Sequence, residues 1–541
     1  MKYKIISLLF AIALFSACKK DLLEKIPKTT LNPENFWQNE KDLLVAVNGL
    51  YPILPGISWI DRDMWSDLAI SGEPVNNNRI EGNFQANDIT THGEPSPTWL
   101  WFEYYKGITA TNYFLENSAK TKDKIDPAFY ARVRAEARFI RSFVYMQLVM
   151  DFGDVPLVTN VLTMNEGFEV TRTPANDVWD FIESELSAIS NDLPIKYSGS
   201  DIGRITKGAV LALKAKSMLY AKRYEEAYNA AKSLIDMNIY SLHPDYSNLF
   251  EYDAQNNSEV ILDIQYAQDL RPYGLFASYA PIGMSKGWTC LFSVTSALVD
   301  KFEMQATGLS IENPVSGWNP MDPYKNRDPR LAATILIPYF SESTDAFKLW
   351  DSGKKLRPQP GSGTPDEIGV ALYANKTGFF LKKYINKEDI GLPGNCGTNF
   401  ILIRYADVLL IAAEALIELN QNLPEAKEYI DEVRVRAGMP EVNEAIANNQ
   451  NDLRQTLRHE RLVELALEGW RSYDIIRWRI AEELIQGKAK GMSYLAKDEK
   501  TIITIETNII RNFTSKDYLL PIPQNERDLN PNLTQNLGYQ Q

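Results

Sequence analysis

The chain has 541 residues, a formal net charge of −13, and 45% hydrophobic and 11% aromatic residues. That acidity argues against nucleic acid or an anionic surface as partner, while the apolar content is ample for a large buried core. Three cysteines make no disulfide framework, and the three histidines, His92, His243 and His459, do not stand at a metal-ligand spacing such as His-Glu-x-x-His.

The first residues read as an address. Lys2 and Lys4 give a basic start, residues 5–15 are apolar but too short to span a bilayer as a helix, and small Ser16 and Ala17 directly precede Cys18. This resembles a bacterial lipobox and predicts a signal peptide over residues 1–17, with Cys18 as the lipidation site. Removing the two lysines moves the formal charge from −13 to −15. An acylated Cys18 supplies the lipid signals that stable anchoring requires, so the remainder is expected to be tethered to the membrane by that anchor through a polar segment over residues 18–30.

A helix is predicted over residues 40–50. Residues 51–97 carry many Gly, Pro, Asn, Trp and Asp residues and little periodicity; an irregular stretch of that length is usually functional or disordered. Trp59, Trp65, Phe84 and Trp99 in and beside it favour order. Helical periodicity resumes over 99–118, 127–151 and 175–193. Over 207–236, Ala209, Ala212, Ala215 and Leu219 are followed by a turn at 222–224 and then by Ala227, Ala231, Leu234 and Ile235 at helical spacing. The pattern resembles a tetratricopeptide hairpin. A degenerate echo follows over 404–437, where Ala412, Ala415 and Leu419 precede a turn at 420–424. Such hairpins bury their faces only by stacking on neighbours. The predicted fold class is therefore mostly α, with irregular tetratricopeptide-like hairpins as a scaffold. The expected divisions are a helical region over 31–240, a loop-rich lobe over 241–400 with short strands near 260–264 and 332–337, and a C-terminal helical region over 401–541.

Several blocks carry a resemblance. They are Cys18-Lys19-Lys20-Asp21-Leu22-Leu23-Glu24, Glu136-Ala137-Arg138-Phe139-Ile140-Arg141 with Asp151-Phe152-Gly153-Asp154-Val155-Pro156-Leu157, and Arg327-Asp328-Pro329-Arg330-Leu331. Arg404-Tyr405-Ala406-Asp407, Arg458-His459-Glu460-Arg461 through Glu468-Gly469-Trp470-Arg471 to Arg477-Trp478, and Tyr518-Leu519-Leu520-Pro521-Ile522-Pro523 complete them. In this order they resemble the SusD/RagB family of outer-membrane nutrient-binding lipoproteins. The resemblance implies a helical body that caps a SusC-like, TonB-dependent transporter on the extracellular side of the outer membrane. It also implies a glycan or oligosaccharide ligand held on loops, or a peptide in RagB-type relatives.

No catalytic residue is predicted. Glu460, Glu464 and Glu468 recur every four residues, with Arg461 and Arg471 among them, and paired carboxylates are what a surface glycoside hydrolase would use. Carboxylates on one helix face do not flank a bond, however, and arginines at neighbouring helical positions favour a structural ion network. Binding chemistry rests on loop aromatics, which offer flat apolar area to a sugar's C–H face while nearby polar groups read its hydroxyls. Two stretches match the family's site in position and character: Trp59, Trp65 and Trp99 with Asp67, Arg79, Asn83 and Gln85, and Tyr273, Trp288 and Trp318. Trp101, Trp179, Trp470 and Trp478 lie on periodic helices and are expected in the core. No cofactor is expected; a structural calcium remains compatible with the acidic loops. Cys290 and Cys396 either pair or stay free.

Overall fold

The structure is a computed structural model, and it describes residues 36–72, 96–286, 289–370 and 374–539. The signal peptide, the tether with Cys18, and Arg79, Asn83, Gln85 and Trp288 lie outside the described residues.

The helical body begins with α1 (Glu40–Asn48), started by a capping box between Asn39 and Asp42. Helix α2 (Pro97–Ser118) starts where Ser96 Oγ accepts the Trp99 N–H with proline in the first turn, and α3 (Pro127–Phe152) starts on the Asp126 carboxylate. Gly153 stops α3 at φ +72°, a conformation that favours glycine. Then come α4 (Ala175–Ile189), the hairpin α5 (Lys207–Tyr220) and α6 (Tyr224–Ile235), the hairpin α7 (Tyr405–Leu419) and α8 (Leu423–Arg436), and finally α9 (Gln450–Glu464) and the short α10 (Arg471–Arg477). Each of α2 through α8 packs on the next, with α1 on α3 and α9 across α7 and α8. The two alanine-rich hairpins are therefore neighbours through α6 and α7, although the whole lobe separates them in sequence. Ala227 and Ala231 on α6, and Ala412 and Ala415 on α7, are fully buried. Side chains this small let helix axes approach closely, which is the irregular stacked array the alanine spacing predicts.

Short antiparallel pairings between distant segments build the lobe and join it to the body. β1 (Ala69–Ser71) pairs with β3 (Phe292–Val294), β2 (Val260–Ile264) with β6 (Phe400–Arg404), and β4 (Ile335–Leu336) with β5 (Phe380–Leu381). Strand β6 runs straight into α7, so the lobe is fixed to the helical stack by the chain itself.

Two expectations need correction. Residues 332–337 are a helical turn, Arg330–Thr334, followed by only two strand residues. The C-terminal region is not helical throughout: β7 (Gln486–Leu495) and β8 (Ile502–Asn512) form the longest strand pair among the described residues. Glycines and lysines interrupt any alternation in β7, so period-2 patterning did not reveal it. The run Glu40–Trp65 is long and apolar enough to cross a membrane by length and composition. Its helix ends at Asn48, however, and Trp59, Ile60, Met64 and Trp65 are buried in the protein core.

The carboxylates that invited an enzymatic reading lie inside the molecule. Glu464 is held by Arg330 at 2.9 Å, by Arg404 at 2.5 Å and by Arg436. Glu460 meets Arg330 at 2.5 Å and Arg434 at 3.1 Å, while Glu468 meets Arg404 and Lys383, each at 2.8 Å. Burial disfavours the charge on Glu464, but Arg436, Arg404 and Arg330 outweigh it and hold the carboxyl below its ordinary range. The ion network is present as expected, but its cations come from distant segments rather than from neighbouring helix positions. Arg461 instead pairs with Asp407 and Asp474, and Arg471 with Asp67. Helix α9 ends at Glu464 and Leu467 takes φ +60°, so Glu468 lies beyond the helix.

Candidate functional site

Segment 57–67 decides which predicted aromatics remain accessible. Two helical turns, Tyr51–Ile53 and Ile57–Trp65, bring the segment against the loop between α9 and α10. Trp59 meets Trp470 edge to face at 5.1 Å between ring centroids and stacks on Tyr473 at 5.6 Å. Asp63 accepts the backbone N–H of Gly469 at 2.8 Å and of Arg471 at 3.2 Å, and Asp67 accepts Arg471 Nε and Nη2 at 2.9 and 3.0 Å. Gly469 sits at φ +85°, and a Cβ there would meet the Trp59 carbonyl oxygen at 2.3 Å. Only glycine permits this approach.

The expected platform residues therefore separate. Trp65 is 1% exposed, with the Arg62 guanidinium 4.2 Å from its ring centroid, and Asp67 is committed to Arg471, so neither presents itself to a ligand. Tyr273 is buried as well: its backbone bridges Cys396 and its ring meets Tyr266 at 4.7 Å. Trp318 is half-buried, its indole N–H donating to the Pro323 carbonyl at 3.2 Å, so it plugs its own loop. Trp59 reaches a cavity only from its wall. Trp99 is 53% exposed in the first turn of α2. The core expectation holds for Trp101, Trp179 and Trp470, whereas Trp478 is half-buried, its indole N–H on Glu414.

Trp99 stands at the rim of a cavity of about 790 Å³ between α2 and residues 49–62. Its polar lining includes Ser58, Asp61, Arg62, Glu103 and Gln147, none of which sequence patterning singled out. Arg62 is 5% exposed; its Nη2 donates to Tyr104 Oη at 3.0 Å, which donates to Asp151 at 2.9 Å. Arg62 Nη1 has no hydrogen-bond partner among the described residues. Beside it, Asp61 accepts the Tyr279 hydroxyl, and burial pushes its carboxyl up to about 7 against the favourable Tyr279 bond and the Arg62 charge. One cavity thus brings together an exposed flat ring, an acceptor and an unused buried donor, the last two at adjacent positions. That is the complement of a sugar ring with neighbouring hydroxyls. The only sequence signal for Asp61 and Arg62 was their place in a tryptophan-rich irregular stretch.

A family model described as "SusD family" matches residues 258–539, and one described as "Starch-binding associating with outer membrane" matches residues 23–219. The chain belongs to the SusD family. A SusD-like protein of Formosa agariphila is 28% identical to this SusD-family chain over 559 residues, which is 99% of both. The crystal structure of a SusD-like carbohydrate binding protein from Bacteroides fragilis superposes with TM-score 0.78 at 28% identity, covering 92% of this chain and 100% of that one. A laminarin binding SusD-like protein shares the fold at TM-score 0.68 and 22% identity, covering 93% and 100%.

Within this SusD-family fold the hydrolase reading finds no support from its candidates. Glu460, Glu464 and Glu468 are buried in ion pairs and do not line the Trp99 cavity. Among the described residues no group of three or more His, Cys, Asp or Glu is arranged to hold a metal ion. Cys290 and Cys396 are free and buried, so of the two alternatives the thiols stay unpaired.

Proposed function

We propose that this protein is a glycan-capturing lipoprotein of the outer-membrane surface, anchored through Cys18, that passes an oligosaccharide to a SusC-like, TonB-dependent transporter. The observation that carries the reading is the half-exposed Trp99 indole lining the same 790 Å³ cavity as the Asp61–Arg62 pair. The ring stacks on the apolar face of a sugar, Arg62 Nη1 donates to one hydroxyl oxygen, and Asp61 accepts from its neighbour. Stacking is weak in water, so the platform contributes most when it is already in place. Here α2, capped by Ser96, holds it on a rigid helix. Similar proteins support glycan as the ligand class: a carbohydrate binding protein, a laminarin binding protein and surface glycan-binding proteins.

Calorimetry against an oligosaccharide panel tests the site. Trp99→Ala should weaken the best ligand about tenfold or more, from lost ring area and stacking, without moving the unfolding midpoint. An unchanged Kd would remove this cavity from the function. Cys18→Ser should move the expressed protein from the membrane to the soluble fraction, and persistence in the membrane would refute the anchor.

A further inference from the structure

On the other side of the Lys106–Ala110 ridge of α2 lies a second cavity, of about 1040 Å³, with a more apolar lining. Rings and aliphatic chains line it, among them Phe36, Trp37, Phe102, Tyr113, Phe168 and Leu529. Several are unusually open for their size: Phe102 is 58% exposed and Tyr113 is 43% exposed. Exposed apolar side chains are ordinary when scattered, but a group of them around one concavity marks a binding surface. The polar groups here are largely committed already. Tyr105 Oη donates to the Pro156 carbonyl at 2.9 Å, Asn530 Nδ2 to the Val170 carbonyl at 2.8 Å, and Lys106 Nζ to Glu103 at 3.2 Å. A sugar seated here would bury hydroxyls without partners, which costs about 1–3 kcal/mol for each. Hydrocarbon meets no such cost.

The two cavities adjoin across a shared wall. Both are lined by Gly49, Lys106 and Ala110, and two of those three residues are small enough to leave the divide low. The first cavity, of mixed lining, offers Asp61, Arg62 and Trp99; the second offers apolar area and few free hydrogen-bonding groups. We propose that the paired cavities take one amphipathic ligand, a glycan bearing an alkyl, acyl or aryl substituent, with the sugar under Trp99 and the apolar group between Phe102 and Tyr113. This rests on the glycan reading of the Trp99 cavity and adds the class of conjugate that the site prefers. A bare oligosaccharide fills one of the two adjoining cavities and leaves the rings of the other in water.

The test uses n-alkyl β-D-glucosides from butyl to nonyl, kept below their critical micelle concentrations, with the matching n-alkanols as headless controls, followed by calorimetry. Burying methylenes predicts that Kd falls about threefold to fourfold for each added carbon until the cavity is full. The glucosides should bind more tightly than the alkanols. Phe102→Ser with Tyr113→Ser removes two exposed rings, so the fold should be retained, with an unchanged unfolding midpoint as the check. This double variant should flatten the chain-length series, and Trp99→Ala should abolish the advantage of glucoside over alkanol. A flat series in the native protein overturns the proposal, as does equal binding of glucoside and alkanol. So does a second copy released from the native protein by the double variant in sedimentation, since the apolar face would then be a dimer contact. None of these three results touches the unsubstituted-oligosaccharide panel with Trp99→Ala, on which the glycan reading stands or falls separately.

Discussion

Glu464→Gln removes one charge from the ion cluster that joins the lobe to the helical body and leaves the shape intact. Counting side chains at most 5% exposed, the cluster holds five carboxylates (Glu259, Asp328, Glu460, Glu464, Glu468) and five cations (Arg330, Lys383, Arg404, Arg434, Arg436). The substitution leaves one uncompensated positive charge where water does not reach. Glu464 touches three of the five cations, so none of them replaces its partner without abandoning another. Breaking a buried pair from one side costs about 3–5 kcal/mol. With a urea slope of about 3 kcal/mol per molar, the midpoint should fall by about 1 M or more, read by circular dichroism at pH 7. A chain of this length unfolds through intermediates, so the comparison belongs to the transition in which the lobe separates from α7–α9. Adding Arg436→Met should recover part of the loss, because the orphaned cation is removed with its partner. A shift below about 0.3 M, no larger than that of the exposed control Glu166→Gln, would refute the account, as would a double variant that loses the sum of the two singles.

The same cluster sets the acid side of a pH profile. Glu464 and Glu468 are held below their ordinary values, so their contribution is complete above about pH 4.5 and is lost as pH falls through their folded values. Asp61 behaves oppositely: its carboxyl is raised to about 7, so its contribution is present below its ordinary value of 3.8 and lost as pH rises through 7. Asp61→Asn should therefore flatten the decline in urea midpoint between pH 6 and 8, and a decline of undiminished slope would show that another group carries it. Burial pushes the Cys290 and Cys396 thiols up to about 12, so neither should react with a disulfide reagent at pH 8 until urea is added, after which both should. Stoichiometric labelling of the native chain would contradict their placement.

Local patterning reached far into the fold. Alanines at helical spacing named both hairpins, the strand over 260–264 matches β2, and α2 and α3 begin within two residues of the expected starts. Nothing local could say that α6 packs on α7, because their contact spans the whole lobe and depends on which alanine faces meet. The β7–β8 hairpin escaped notice because glycine and lysine break its alternation. Ion pairing for Glu460, Glu464 and Glu468 was legible from their charge and from the implausibility of a one-faced active site; the identity of their partners was not.

The site divides in the same way. Sequence composition located an aromatic, irregular stretch and thereby the region of the cavity, since Trp59 and Trp99 both line it. It could not distinguish Trp99 from Trp65, because exposure of a loop ring depends on what else in the chain arrives to cover it. Trp65 meets Arg62, Trp59 meets the 469–473 loop, and Trp99 projects from the first turn of a helix. The amino-acid sequence alone determined a helical stack of the SusD type, because periodicity, caps and small residues act over a few turns. Which rings remain in water, and which donor stays unused beside Asp61, was decided only when segments hundreds of residues apart packed together. Burial is a property of those encounters and not of the residues themselves.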